Sequence, residues 1–275
     1  MKQKRIFTIL LSLPALIIGC DLFENTSGVK VYNGESINQT STEDSEIVAG
    51  IAGIRFNNPE TQGDTFDFLC SGSLIHKRVV LTAAHCLDGR IFELLPEDLT
   101  VSFGIDSNQG SLFAVSDYVI HPKWNPEEGF NAEVRLYDFA LVLLKEPAPH
   151  NKISFALAAA ESDIDFTVSD ALFAGAGFDK FIDGLATGDR GVFHKLSQRI
   201  IRTDYEKTMQ TLTTVSANDF SGSCSGDSGS SLLVRQGPEQ KYLIAGVLNS
   251  GRDKDGKKTF DRCAPQTVFA RITTV

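Results

Sequence analysis

The chain has 275 residues, 42% of them hydrophobic, with Lys+Arg 26 against Asp+Glu 35 for a formal net charge of −9. That is enough chain and enough apolar content for one large or two small globular domains. The acidic balance leaves no basic stripe to neutralise phosphates, which argues against nucleic acid as a partner.

In chain order, Lys2, Lys4 and Arg5 open a targeting segment. The mostly apolar stretch from Ile6 to Ile18 is too short to span a bilayer comfortably and fits the hydrophobic region of a signal peptide, residues 1–19. Its end, Leu16-Ile17-Ile18-Gly19-Cys20, resembles a bacterial lipobox, in which the cysteine is lipidated and becomes the first residue. The alternative is an ordinary secretory signal cut after small residues, which Ile17 fits poorly. The expectation is an exported lipoprotein at a periplasmic or cell-surface membrane, held there by lipid on Cys20. Residues 21–46 are rich in Asn, Ser, Thr, Glu and Gly, so 20–46 reads as a flexible tether and propeptide. Beyond it, short Val/Ile/Leu/Phe runs separated by Gly, Asn, Asp and Pro predict a mostly β domain.

Three stretches carry chemistry. Val79-Val80-Leu81-Thr82-Ala83-Ala84-His85-Cys86 places a histidine after an apolar β-type run. Tyr137-Asp138-Phe139-Ala140-Leu141-Val142-Leu143-Leu144 opens an apolar run with an aspartate. Ser223-Cys224-Ser225-Gly226-Asp227-Ser228-Gly229-Ser230 packs serines, a carboxylate and turn-forming glycines together. A serine hydroxyl is a poor nucleophile at neutral pH and needs a base, an orienter for the base and donors for the oxyanion it creates. TAAHC, DFALVLL and GDSGS, in that order, resemble the three catalytic motifs of the chymotrypsin-like (trypsin-family, S1) serine proteases.

The resemblance covers nearly everything from Ile47. Phe68–Ile75, Val119–Trp124, Ala174–Gly177, Ile244–Leu248 and Val268–Ile272 also resemble family segments, with Ala176 replacing an aromatic. It implies an all-β fold of two six-stranded antiparallel barrels over 47–275, joined near 150–165, with the active site between them. The family's C-terminal helix has no counterpart in the few residues after Ile272, a departure expected to lower stability or expose an apolar patch.

By the same resemblance Ser228 attacks the substrate carbonyl, His85 takes and returns the proton, and Asp138 orients His85. The N–H groups of Gly226 and Ser228 form the oxyanion hole. Ile47-Val48-Ala49-Gly50 resembles the family's mature N-terminus. A protease cutting after Glu46 would free the Ile47 amine to pair with Asp227; the alternative is that Ile47 simply begins a strand. Glu46 stands where trypsin-type zymogens carry a basic residue, so the activator is not obviously trypsin-like. The primary pocket has Gly222 at its floor and Ser223, Asn249, Ser250, Gly251 and Thr267 around it. With no carboxylate at the floor, small or medium apolar side chains are expected rather than Lys or Arg; an aromatic-accepting pocket is the alternative. Ser230 replaces a glycine common in the family.

There are five cysteines. If Cys20 carries lipid, four remain, and counting alone leaves three connectivities open. The resemblance selects Cys70–Cys86 and Cys224–Cys263, each worth about 2–4 kcal/mol in an oxidising compartment. No CxxC or HExxH spacing suggests a metal, and no cofactor is called for. His76, His121, His150 and His194 have no triad-like setting. The reading is an exported serine endopeptidase acting on protein or peptide; the alternative is an inactive homologue serving as a binding module. A serine esterase of the α/β-hydrolase type would carry its triad in the order Ser, Asp, His.

Overall fold

The computed structural model describes residues 34–57, 66–89, 94–125, 127, 137–152, 154–158, 171–182, 185–188, 190–204, 211–216, 221–236, 241–259 and 263–272. The expected signal segment and Cys20 lie outside the described residues. The chain enters through a short strand β1 (Glu35–Ser36) and a helix α1 (Thr42–Gly50). The apolar runs then form β2 (Ile51–Asn57), β3 (Phe66–His76), β4 (Val79–Thr82), β5 (Leu99–Phe103), β6 (Leu112–Ile120) and β7 (Ala140–Leu144). These six close in the order β2-β3-β4-β7-β6-β5, with β2 pairing β5. Closure leaves no unpaired edge, and alternate side chains such as Ile54, Val80, Val101 and Val142 fill the interior.

The second half supplies β8 (Ala156–Leu157), β9 (Ala171–Gly175), β10 (Lys180–Ile182), β11 (Leu185–Thr187), β12 (His194–Asp204) and β13 (Thr211–Ser216). It ends with β14 (Ser231–Gln236), β15 (Lys241–Arg252), β16 (Lys258–Thr259) and β17 (Gln266–Arg271). β12-β13-β17-β15-β14-β9 is a second closed ring, because β9 also pairs β12. Phe173, Leu212, Leu232 and Phe269 fill it, with the two phenylalanine rings edge-to-face at 6.0 Å. The expected pair of six-stranded antiparallel barrels is therefore present.

The barrels are tied together beside the site. Ser107 donates to the Gly191 carbonyl twice, from its N–H at 2.8 Å and its Oγ at 2.7 Å, and the Phe193 N–H donates to Ile105 at 2.7 Å. Ser71 on β3 reaches the other barrel: its N–H donates to the Ser228 carbonyl at 2.9 Å and its Oγ to the Gly226 carbonyl at 3.1 Å.

Residues 34–46 depart from the expected tether: they are docked. Several of their polar residues serve as caps and partners while most stay exposed. The Ser41 Oγ accepts the Asp44 N–H at 3.0 Å and caps α1. Asp44, buried at 2% exposure, accepts from the Asn38 N–H at 2.6 Å and from the Lys195 ammonium at 2.7 Å. Burial pushes the Asp44 carboxyl up, but Lys195, the Asn38 N–H and Ser41 outweigh it and hold the group below the usual aspartate value. The Tyr242 hydroxyl donates to Glu43 at 2.7 Å and the Tyr242 N–H to Glu46 at 3.2 Å, with the Arg235 guanidinium 3.8 and 3.9 Å from these two carboxylates. The Lys152 ammonium donates to the Val48 carbonyl at 3.1 Å, near the negative end of α1. Ile47 is fully buried within α1.

Candidate active site

β4 delivers the histidine. Thr82 ends the strand, buried Ala83 and Ala84 turn the chain, and one 3₁₀ turn (Ala84–Cys86) holds His85. The turn is fastened to β3 twice: by the Cys70–Cys86 disulfide and by the Thr82 Oγ1 donating to the Ser71 carbonyl at 2.8 Å. His85 meets Asp138 at two points. Its N–H donates to Oδ1 at 2.9 Å, and its Nδ1 lies 2.7 Å from Oδ2. Asp138 is fully buried, and a carboxylate only accepts, so the shared proton sits on Nδ1 and Nε2 is left as a base.

Asp138 is aimed by an unusual turn. Tyr137, at φ 55°, has the only positive φ among the described non-glycine residues. The Phe139 N–H donates back to the Tyr137 carbonyl at 2.8 Å, and the His121 N–H donates to the Phe139 carbonyl at 2.9 Å. The His121 ring stacks on Tyr137 at 5.0 Å and 8°, and the Lys123 ammonium stands 5.2 Å from the Tyr137 ring centre. Burial and the neighbouring Lys123 hold His121 below the usual histidine value, favouring the neutral ring.

Ser228 lies in a loop braced on both sides. The Cys224–Cys263 disulfide and a two-way backbone pair between Ser223 and Ala264, at 3.1 and 2.7 Å, hold it to the second barrel. Both disulfides are those the resemblance implied. Gly229, at φ 85°, is pressed against the Ser71 carbonyl, Thr82 and Ala83, so a side chain there would overlap them. That contact and the Ser71 bonds set the Ser228 turn beside the strand end that carries His85. Within the loop, the N–H groups of Asp227, Gly229 and Ser230 donate to the carbonyls of Cys224, Leu248 and Asp227. Among the described residues those of Gly226 and Ser228 donate to no backbone carbonyl.

Asp227 is fully buried and accepts two backbone N–H bonds, from Gly177 and Cys224, each at 2.7 Å. Burial pushes its carboxyl up to about 7, although the two N–H bonds pull the other way. The Ile47 nitrogen is an ordinary peptide nitrogen inside α1, so in the intact chain Ile47 and Asp227 are not an ion pair.

Two of the expected pocket residues, Gly251 and Ser223, meet Thr267. Thr267 faces Gly251 across the β15–β17 ladder, and its Oγ1 donates to the Ser223 Oγ at 3.1 Å. Asn249 sits at a bulge of β15, where Leu248 and Ser250 bracket a shift in register. Gly222 lies against the Ala264 carbonyl, with no room for a side chain. Sequence reading missed Ser71, His121 and Tyr137. Ser71 had a signal, since it follows Cys70 in a stretch that leads to the histidine.

A family model described as Trypsin matches residues 27–273. The chain is 26% identical over 204 residues to the clotting factor G beta subunit of Tachypleus tridentatus, covering 67% of this chain and 63% of that one. It is 28% identical over 269 residues to coagulation factor XII of Bos taurus, 87% of this chain and 41% of that one. With trypsin zeta of Drosophila melanogaster it shares 24% identity over 262 residues, 88% and 86% of the two chains. The chain thus spans less than two thirds of the two clotting proteins and most of trypsin zeta. With the match running from before β1 to beyond β17, the chain belongs to the trypsin family of serine proteases.

Proposed function

We propose that this chain is the precursor of an exported serine endopeptidase in which His85, Asp138 and Ser228 are the catalytic residues. The observation that carries this is the double contact between His85 and the buried Asp138, at 2.9 and 2.7 Å, which leaves the outer ring nitrogen as a base. In the reaction Ser228 Oγ adds to the substrate carbonyl as its proton passes to His85. The imidazolium formed is stabilised by Asp138 and gives that proton to the leaving amine. The N–H groups of Gly226 and Ser228 stabilise the oxyanion, each such donor typically being worth about 10²–10³ in rate. Water then repeats the sequence on the acyl-enzyme.

A cut after Glu46 would free the Ile47 amine for Asp227, whose buried carboxylate has, among the described residues, only backbone N–H hydrogen-bond partners. The disulfides fit an oxidising compartment, and the residues Leu16–Cys20 support export with lipid on Cys20. The test is a fluorophosphonate probe applied to chain cut before Ile47, beside Ser228→Ala. Labelling of the unsubstituted protein alone is expected; equal or absent labelling of both sinks the reading.

The pocket is proposed to take small or medium apolar side chains, because none of Gly222, Ser223, Asn249, Ser250, Gly251 and Thr267 carries a charge and the Thr267 and Ser223 hydroxyls satisfy each other at 3.1 Å. Gly222→Asp is therefore expected to lower the melting temperature, since its side chain meets the Ala264 carbonyl. It is expected to confer no cleavage after Lys or Arg in a peptide library. Gain of basic specificity with an unchanged melting temperature would overturn this expectation.

A further inference from the structure

We propose that the stacked pair His121 and Tyr137 is a positioning element that sets the Asp138 carboxylate against His85. This rests on the reading of Asp138 as the orienter of His85. Tyr137 immediately precedes Asp138 and is held in a backbone region that bulky residues avoid. Such a conformation persists only where surrounding contacts over-determine it. Three contacts do so: the ring stack with His121 at 5.0 Å, the Lys123 ammonium 5.2 Å from the same ring, and the His121 N–H bond to the Phe139 carbonyl at 2.9 Å. His121 also meets the Phe139 ring edge-on at 6.2 Å. One histidine therefore grips the residues on both sides of Asp138, by side chain and by backbone.

The direction of the Asp138 carboxylate depends on the φ of the preceding residue. If Tyr137 relaxes to a negative φ, the peptide entering Asp138 rotates, and the two contacts to His85 cannot both persist. The sequence holds no sign of this, because His121 stands sixteen residues before Tyr137 in an unremarkable His-Pro turn. His121 and Tyr137 touch neither the substrate carbonyl nor the proton in flight; they act through Asp138.

The test compares His121→Ala, His121→Phe, Tyr137→Ala and Tyr137→Phe with the unsubstituted full chain cut before Ile47. His121→Ala and Tyr137→Ala, which keep a Cβ but lose the ring, are expected to lower kcat by roughly tenfold to a hundredfold, the scale of a small misplacement in a catalytic group, with KM changed less than twofold. His121→Phe and Tyr137→Phe, which keep the stacked rings, are expected to restore most of kcat. The proton resonance of the His85 Nδ1–Asp138 hydrogen bond is expected to move upfield and broaden in the two alanine variants and to return in the two phenylalanine variants. If Tyr137→Ala does not fold, the His121 pair decides. Unchanged kcat and resonance in His121→Ala, or failure of His121→Phe to rescue it, overturns the proposal. Full activity in Asp138→Asn overturns the underlying triad reading instead.

Discussion

Asp138→Asn will leave the fold standing and reduce kcat by about 10⁴, the scale of loss expected when the base of such a triad is held in the wrong tautomer. The reason lies in the two contacts to His85. The backbone N–H of His85 requires an acceptor, so the single oxygen of the asparagine stays on it. The amide NH₂ is then left facing Nδ1, where Oδ2 stood at 2.7 Å. Two donors cannot share that space, so Nδ1 must become the acceptor and the ring proton moves to Nε2. A ring protonated at Nε2 cannot accept the Ser228 proton. Steady-state kinetics on a peptide substrate, with the melting temperature as control, measure this. A loss under tenfold in a folded variant would show that Asp138 does not orient the base.

Lys195→Ala will expose the bond between Glu46 and Ile47. That bond lies inside α1, and Ile47 is fully buried, so a protease that takes extended chain must wait for the helix to open. Removing Lys195 strands the Asp44 carboxylate at 2% exposure, a change that typically costs about 3–5 kcal/mol. Opening becomes correspondingly more frequent, and cleavage at Glu46 by a glutamyl-specific endopeptidase should accelerate by roughly 10²–10⁴. Asp44→Asn should act more weakly because it leaves no buried charge, and the exchange of both residues should restore much of the resistance. The sign of the pH effect follows from Asp44, whose folded value is depressed. Its stabilisation is complete above the ordinary aspartate range and is lost as pH falls through the folded value, so acid should speed the cut. N-terminal sequencing over time reads the rate; equal rates in all variants would show that α1 does not control access.

The barrels and the three motifs were legible because each depends on residues close in the chain. A histidine after Val79–Thr82, an aspartate before Ala140–Leu144 and a serine between glycines each announce themselves locally. The docking of α1 was not legible. Thr42, Glu43, Asp44 and Glu46 have the composition of a solvated linker, and only the fold brings Lys195, Arg235 and Tyr242 opposite them. The conformation of Tyr137 was hidden for a similar reason, since its partner His121 follows the end of β6, sixteen residues earlier. Ser71 was legible as part of a strand but not as the bridge to the Ser228 loop, a role that exists only once two barrels face each other.

Asp227 gives the intact chain a second and opposite response to acidity. Its folded value is raised to about 7, so between the ordinary aspartate value and neutrality the folded chain retains a proton that the unfolded chain has released. Stability from this group is therefore greatest in acid and declines as pH rises through that window, whereas the Asp44 clasp weakens in acid. The contributions of these two carboxylates are jointly favourable in mild acidity, with the clasp still ionised and the buried loop carboxyl still neutral. At neutral pH and above the loop carboxyl is ionised, its partners among the described residues are two backbone N–H groups, and a cation delivered to it has no proton to displace. The loop beneath Ser228 thus behaves as a proton reservoir, emptying as its surroundings approach neutrality.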